Sequence, residues 1–223
     1  MTLEHVDIVF KVIVFLFAIS VHESSHAWMA NRCGDPTARM LGRITLNPIK
    51  HVDLFGTVLL PLMALLAHIP MLGWAKPTPV DPRNFKHPVR DDILTAVVGP
   101  ISNFLVAGAA TALLVAVKLS SSFGRAVVMG EVSPDSNSIL VPICLLVYEL
   151  MVINVVLAVF NLIPVPPLDG SHVLRHFLPD TMRRAYDTVG WVALLALVYF
   201  GPTYLQRLLS PFLNFFYYIV GSA

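Results

Sequence analysis

Charge is scarce: Asp, Glu, Lys and Arg make up 13% of the 223 residues, about half the share typical of soluble domains. That scarcity excludes an ordinary solvent-covered fold. The net charge is +1, with no basic stripe or charged tail, so no electrostatic footprint argues for nucleic acid. Only two cysteines occur, Cys33 and Cys144, which rules out a disulfide framework and leaves ordinary buried thiols as the expectation. No internal repeat and no long low-complexity tract is visible. The polar linker at 120–138 is too short for an inserted folded domain, which needs at least about 50 residues. Glu4, Asp7 and Lys11 do not make the basic start of a signal peptide, so the first apolar segment is expected to be a retained span.

Apolar sequence is what the chain has in quantity: it is 56% hydrophobic, with a mean hydropathy of +0.73. The runs are Val6–Ala30, Leu54–Leu72, Ile93–Leu119, Ile139–Ile163 and a last stretch, Trp191–Val220, broken by Gly201-Pro202 and Ser210-Pro211. Several are long enough for a hydrocarbon core that needs about 20 helical residues. The expectation is an all-α polytopic membrane protein of about four to six membrane segments, with 1–223 forming one integral membrane domain. Residues 37–52 partly alternate polar and apolar side chains, which predicts a small β element at the membrane edge. Residues 76–91 are polar and Pro-rich, placing Lys76, Arg83, Lys86 and Arg90 near the headgroups. Ala107, Gly108, Ala109 and Ala110 give the third run the small side chains that let membrane helices approach closely.

His22-Glu23-Ser24-Ser25-His26 carries the chemistry. With eight histidines in the chain, an HExxH match arises by chance roughly 0.005 times. On a helix, histidines at i and i+4 lie about 6 Å apart along one face, so both imidazoles reach one Zn²⁺. Glu23 stands beside them as general base for a water acidified by the metal. Ionisable groups inside a spanning segment are expensive and mark a functional path. Cys33 shares the face of His26 but lies two turns away, about 10 Å, which a Zn–S bond of about 2.3 Å cannot bridge.

A catalytic zinc needs a third protein ligand. Asp169 is one candidate, following an apolar run and flanked by Pro164, Pro166, Pro167 and Gly170, which present it from non-helical backbone. A helix-capping role for it is the ordinary alternative. Glu149, in mid-span, is the rival; its bland reading is a hydrogen-bonded interior carboxyl. His172 and His176 repeat the i, i+4 spacing without a glutamate beside the first and are expected at the interface or around the ligands.

HESSH on a span, Gly99-Pro100-Ile101-Ser102-Asn103 in a later one, and Asn161-Leu162-Ile163-Pro164-Val165-Pro166-Pro167-Leu168-Asp169-Gly170 ending another together resemble the site-2 protease family of intramembrane zinc metalloproteases. Gly73-Trp74-Ala75-Lys76-Pro77 is similar to its compact prokaryotic members. The resemblance covers about residues 18–175 and implies one zinc per chain held by His22, His26 and Asp169, with Glu23 as catalytic base. It also implies that Asn161 lies near the site, holding substrate backbone or a developing oxyanion. The PDZ-like and C-terminal regulatory domains found in some relatives are not expected here, for want of room. The implied partners are a transmembrane protein or peptide substrate and the lipid bilayer, with no nucleic acid, in a prokaryotic cell membrane. A strand-like surface, residues 42–50 or 73–80, would pair with unwound substrate. The alternative function is a membrane metal-ion transporter using the same histidines and aspartate, which gives Glu23 no role. Finally, both zinc motifs must reach one depth, so 54–80, disrupted by Pro61 and Pro70, is expected to be a re-entrant hairpin returning to the active-site side.

Overall fold

The structure, a computed structural model, describes residues 3–59, 75–133 and 138–223. Helix α1 (Leu3–Cys33) stops at Gly34, whose φ of +114° suits a residue without a Cβ. A Cβ there would also lie 2.8 Å from the Asn84 carbonyl oxygen. The short α2 (Thr37–Met40) follows. Helix α3 (Pro88–Ser120) opens with proline in its first turn, where the missing N–H costs nothing, and leads to the short α4 (Ser122–Val128). Helix α5 (Leu140–Asn161) precedes α6 (Asp169–Arg175), α7 (Asp180–Phe200) and α8 (Pro202–Ser222).

Three helices are long and apolar enough to cross a membrane: Ile8–Cys33, Pro88–Ser120 and Leu140–Asn161. A fourth span is possible by length and composition if α7 and α8, bent by 84° at Gly201, count as one. The chain is therefore a helical membrane protein of three to four spans among its described residues. Helices α1, α3 and α5 pack on one another around the site. Val141, Cys144, Val147, Met151, Val155 and Val159 recur every three or four residues on α5 and are buried against Ala107, Ala110 and Leu114 of α3. Of the four small residues at 107–110, Ala107 and Ala110 face inward, whereas Gly108 and Ala109 are exposed. Phe216 and Val220 of α8 close the same core.

Among the described residues there is no strand, which corrects the β element expected at 37–52. Its partial alternation reflects something else. Residues 37–40 form a helical turn ended by Gly42 at φ +66°, and Pro48–Lys50 form a 3₁₀ turn capped by the Asn47 side chain. The buried Arg43 donates to the carbonyls of Lys50, Lys76 and Pro77, and the buried His51 ring bonds the Thr45 carbonyl. Side chains thus take the carbonyls that a ladder would use. Residues 75–81 form no ladder either: Pro77 and Pro79 have no N–H. The N–H groups of Lys76, Thr78 and Asp81 go to the His51 carbonyl, the Glu23 carboxylate and the Asp35 carboxylate.

The expected hairpin at 54–80 lies partly on residues 60–74, outside the described residues. Its flanks are described. The Lys76 N–H donates to the His51 carbonyl at 2.8 Å, and the Lys86 N–H to the Cys33 carbonyl at 3.1 Å, so the chain re-enters beside the point where it left.

Candidate metal centre

Helix α1 places His22 and His26 one turn apart, with ring centroids 4.6 Å apart and planes at 83°. Both are buried, 6% and 7% exposed. Asp169 comes from the start of α6, where Gly170 lets the new helix press on the end of α5. A Cβ on Gly170 would stand 2.2 Å from the Leu162 carbonyl oxygen. The Asp169 Oδ2 lies 3.1 Å from His22 Nε2 and 3.4 Å from His26 Nε2, and the two Nε2 atoms are 3.0 Å apart.

The other ring nitrogens settle the protonation. His26 Nδ1 lies 2.6 Å from the Thr95 carbonyl, which only accepts, so that nitrogen carries the proton. His22 Nδ1 lies 2.6 Å from Asn103 Oδ1. The Asn103 amide nitrogen donates to Asn154 Oδ1 at 2.7 Å and to the Ala18 carbonyl at 3.2 Å, which fixes its oxygen towards His22. His22 therefore also donates from Nδ1. Both Nε2 atoms then present bare lone pairs to a carboxylate oxygen that is buried and lacks any hydrogen-bond donor. Three acceptors facing one another in a dry site repel unless a cation lies among them. Tetrahedral ligands about 2.0–2.1 Å from zinc stand about 3.3–3.4 Å from each other, which the observed separations approach. The residues fit a zinc ion, and among the described residues they are the one group of three or more that could hold a metal.

Glu23, next to His22, has its Oε2 bonded by the Thr78 N–H at 2.9 Å and the Thr78 hydroxyl at 2.8 Å. Glu149 is not part of the trio. Asn161 does not reach it through any hydrogen bond seen here; its amide donates back to the Leu157 carbonyl at 3.0 Å. His176 Nε2 and His172 Nδ1 instead meet Asp92 on α3, at 2.7 and 3.4 Å, pinning α6 to the start of that helix. The Asp92 carboxylate beside His172 raises the pKa of its imidazole above the ordinary value, against the effect of burial.

Sequence reasoning placed Gly99 and Asn103 within a family-like motif without giving them a role, and it missed Asn154 on α5. Gly99 is the wall behind both imidazoles: a Cβ there would lie 2.4 Å from His26 Nε2 and 2.8 Å from His22 Cε1. Asn103 and Asn154 are buried amides in apolar runs, each 0% exposed. Intramembrane polar residues of that kind were the available signal.

Apolar spans folded around a buried, metal-ready His, His and carboxylate trio with a glutamate beside it define a membrane metalloprotease. The chain belongs to peptidase family M50, the site-2 proteases, whose sequence profile matches residues 10–200. Two relatives carry the name "Putative zinc metalloprotease". YwhC of Bacillus subtilis (strain 168) is 34% identical over 191 residues, covering 84% of this chain and 79% of its own. Rip2 of Mycolicibacterium smegmatis (strain ATCC 700084 / mc(2)155) is 26% identical over 205 residues, covering 90% and 66%. No solved structure matches significantly. The enzyme's metal is zinc, and the comparisons do not favour the transporter.

Proposed function

We propose that the chain is a single membrane domain that hydrolyses peptide bonds within or beside transmembrane segments of other membrane proteins, in regulated intramembrane proteolysis. His22, His26 and Asp169 hold one zinc, and Glu23 is the general base. The observation that carries this reading is the convergence of two bare Nε2 atoms and one orphaned carboxylate oxygen inside a bundle of apolar helices. Zinc supplies Lewis acidity there, polarising a carbonyl and acidifying water.

The chain's own residues do the rest. Asn103 and the Thr95 carbonyl hold the imidazoles in the ligating tautomer. Thr78 fixes one oxygen of Glu23, leaving the other to take the proton of the attacking water. Burial of both histidines keeps the site away from bulk solvent. Asn161 steadies the substrate backbone or the oxyanion after its amide turns away from Leu157. A helical substrate must first unwind to expose a carbonyl. The N–H groups of Lys76, Thr78 and Asp81 are already engaged, and Arg43 takes the Lys76 and Pro77 carbonyls, so pairing along 75–81 falls to the other carbonyls of that segment and N–H groups of the substrate. The bacterial relatives support a prokaryotic cell membrane as the location.

Glu23→Ala tests the reading. Zinc content should stay at one per chain while cleavage of a membrane substrate falls by about 10²–10⁴-fold. An unimpaired rate in a preparation free of other proteases would sink the mechanism.

A further inference from the structure

A second concave site lies at the membrane edge, away from the histidines. The last turn of α1 and the first turns of α3 flank an open cavity of about 440 Å³ lined by Trp28, Arg32, Lys86, His87, Arg90 and Asp91, with Met29, Cys33 and Leu94 on its apolar side. Both helices are spans, and this is the end at which each meets the interface. Trp28 is 42% exposed and carries the Arg32 guanidinium 5.0 Å from its ring centroid. An indole and a guanidinium at a span end are the side chains that settle at headgroup depth.

Positive charge is in excess around this cavity. Among the described residues no carboxylate forms an ion pair with Arg32, Lys86 or Arg90. The one carboxylate in the lining, Asp91, is 4% exposed, and its Oδ2 accepts the His87 N–H at 2.8 Å, so it is turned inward. Three permanent cations from two helix ends and the turn between them thus converge on one concavity whose deeper wall is apolar. A soluble anion would leave that wall without a partner. A phosphodiester with acyl chains satisfies both parts: the phosphate sits among Arg32, Lys86 and Arg90, and a chain descends beside Trp28, Met29 and Leu94.

We infer that this cavity binds the headgroup of an anionic phospholipid. Basic pockets between spanning helices have this use generally, and Arg suits phosphate through its planar fork of donors. Occupancy ties Arg32 of α1, six residues after His26, to Arg90 of α3, five residues before Thr95. The inference is independent of the proteolytic reading, since it needs only the membrane placement of α1 and α3.

The test uses the full zinc-loaded chain in neutral detergent with Trp74→Phe and Trp191→Phe, so that Trp28 alone reports. Phosphatidylglycerol with brominated acyl chains should quench it saturably, whereas brominated phosphatidylcholine should not saturate. Arg32→Gln with Arg90→Gln should weaken the saturable phase at least tenfold. Arg39→Gln with Lys50→Gln removes two exposed cations at the same membrane edge outside the cavity and should leave that phase within twofold. Equal weakening by both pairs would reduce the effect to general surface charge and overturn the site. So would full protection from quenching by millimolar inorganic phosphate, which would make the ligand a soluble anion. Zinc content and melting temperature, matched across the variants, exclude misfolding as the cause.

Discussion

Gly99→Ala puts the sharpest demand on the geometry. The added methyl carbon would stand 2.4 Å from His26 Nε2, 2.6 Å from its Cε1 and 2.8 Å from His22 Cε1, roughly 1 Å inside ordinary van der Waals contact. The His26 ring cannot simply swing clear. Its Nδ1 is bonded at 2.6 Å to the Thr95 carbonyl, one turn earlier on the same α3 helix. Retreat of α3 stretches that bond and the one from His22 to Asn103; rotation of the ring carries Nε2 off the trio. Metal–ligand distances tolerate about 0.2 Å, so a 1 Å displacement of a proposed ligand should weaken zinc at least about 100-fold, or ~2.7 kcal/mol. The metal-free protein should fare much better. Overpacking costs about 1–3 kcal/mol, and Ala in place of Gly in a helix interior returns up to about 1 kcal/mol. The signature is therefore a large loss of zinc affinity, measured by competition with a chelating dye, alongside a small change in metal-free melting. Affinity within twofold of the unaltered protein would refute the reasoning, because it would mean the imidazoles need not sit where Gly99 allows.

Asn103→Ala removes the acceptor that holds the His22 tautomer and should cost about 10–100-fold in zinc affinity. Cobalt-substituted protein should show an altered visible spectrum, and an unchanged spectrum would make the amide merely structural. Asp169→Ala should abolish tight metal binding while Glu149→Ala retains it; the reverse result would name the wrong third ligand. Asp35 supplies a pH test. Burial would raise its carboxyl pKa, but the Thr37 hydroxyl and N–H, the Asp81 N–H and the Asn84 amide outweigh burial and hold it below 3.8. Its contribution is therefore fully present above pH 3.8 and lost as pH falls through the lower folded value. Hydrogen exchange at the Asp81 amide should stay slow from pH 8 to 5 after correction for intrinsic rates. Asp35→Asn, which can turn a donor towards that N–H, should speed it even at pH 7.

What the sequence disclosed and what it hid divide along one physical line. His22, Glu23 and His26 were legible because helical periodicity alone decides that i and i+4 share a face. With Glu149 as rival and the family resemblance in its favour, Asp169 stood out as one candidate because clustered prolines and Gly170 break the chain beside a carboxylate. Those are local properties. The groups that hold the imidazoles are not: Asn103 is 81 residues from His22, and Asn154 is 51 from Asn103. No spacing rule links positions on three helices. The motif that ends in Asn103 and the cost of a lone amide in an apolar run mark such residues, but neither mark names a partner. The β element failed for a related reason. Alternation at 37–52 is a local pattern, but Arg43 and His51 bond backbone carbonyls, an outcome that depended on where 75–77 would pass.

Topology was the exception, a long-range feature open to argument because a single metal site constrains parity. The end of α1 is bonded to the approach to α3 through Cys33 and Lys86, so α3 starts at the edge where α1 finishes. It runs back along α1, with Thr95 at His26 and Asn103 at His22, a turn deeper. Helix α5 then returns, with Asn154 meeting Asn103 seven residues before its own end, and delivers Asp169 to the starting depth. One outward and one return crossing separate the two motifs. On either side of residues 60–74, the His51 carbonyl accepts from the Lys76 N–H at 2.8 Å, which agrees with that parity. An odd total of crossings between the two motifs would have left Asp169 about 30 Å from the histidines.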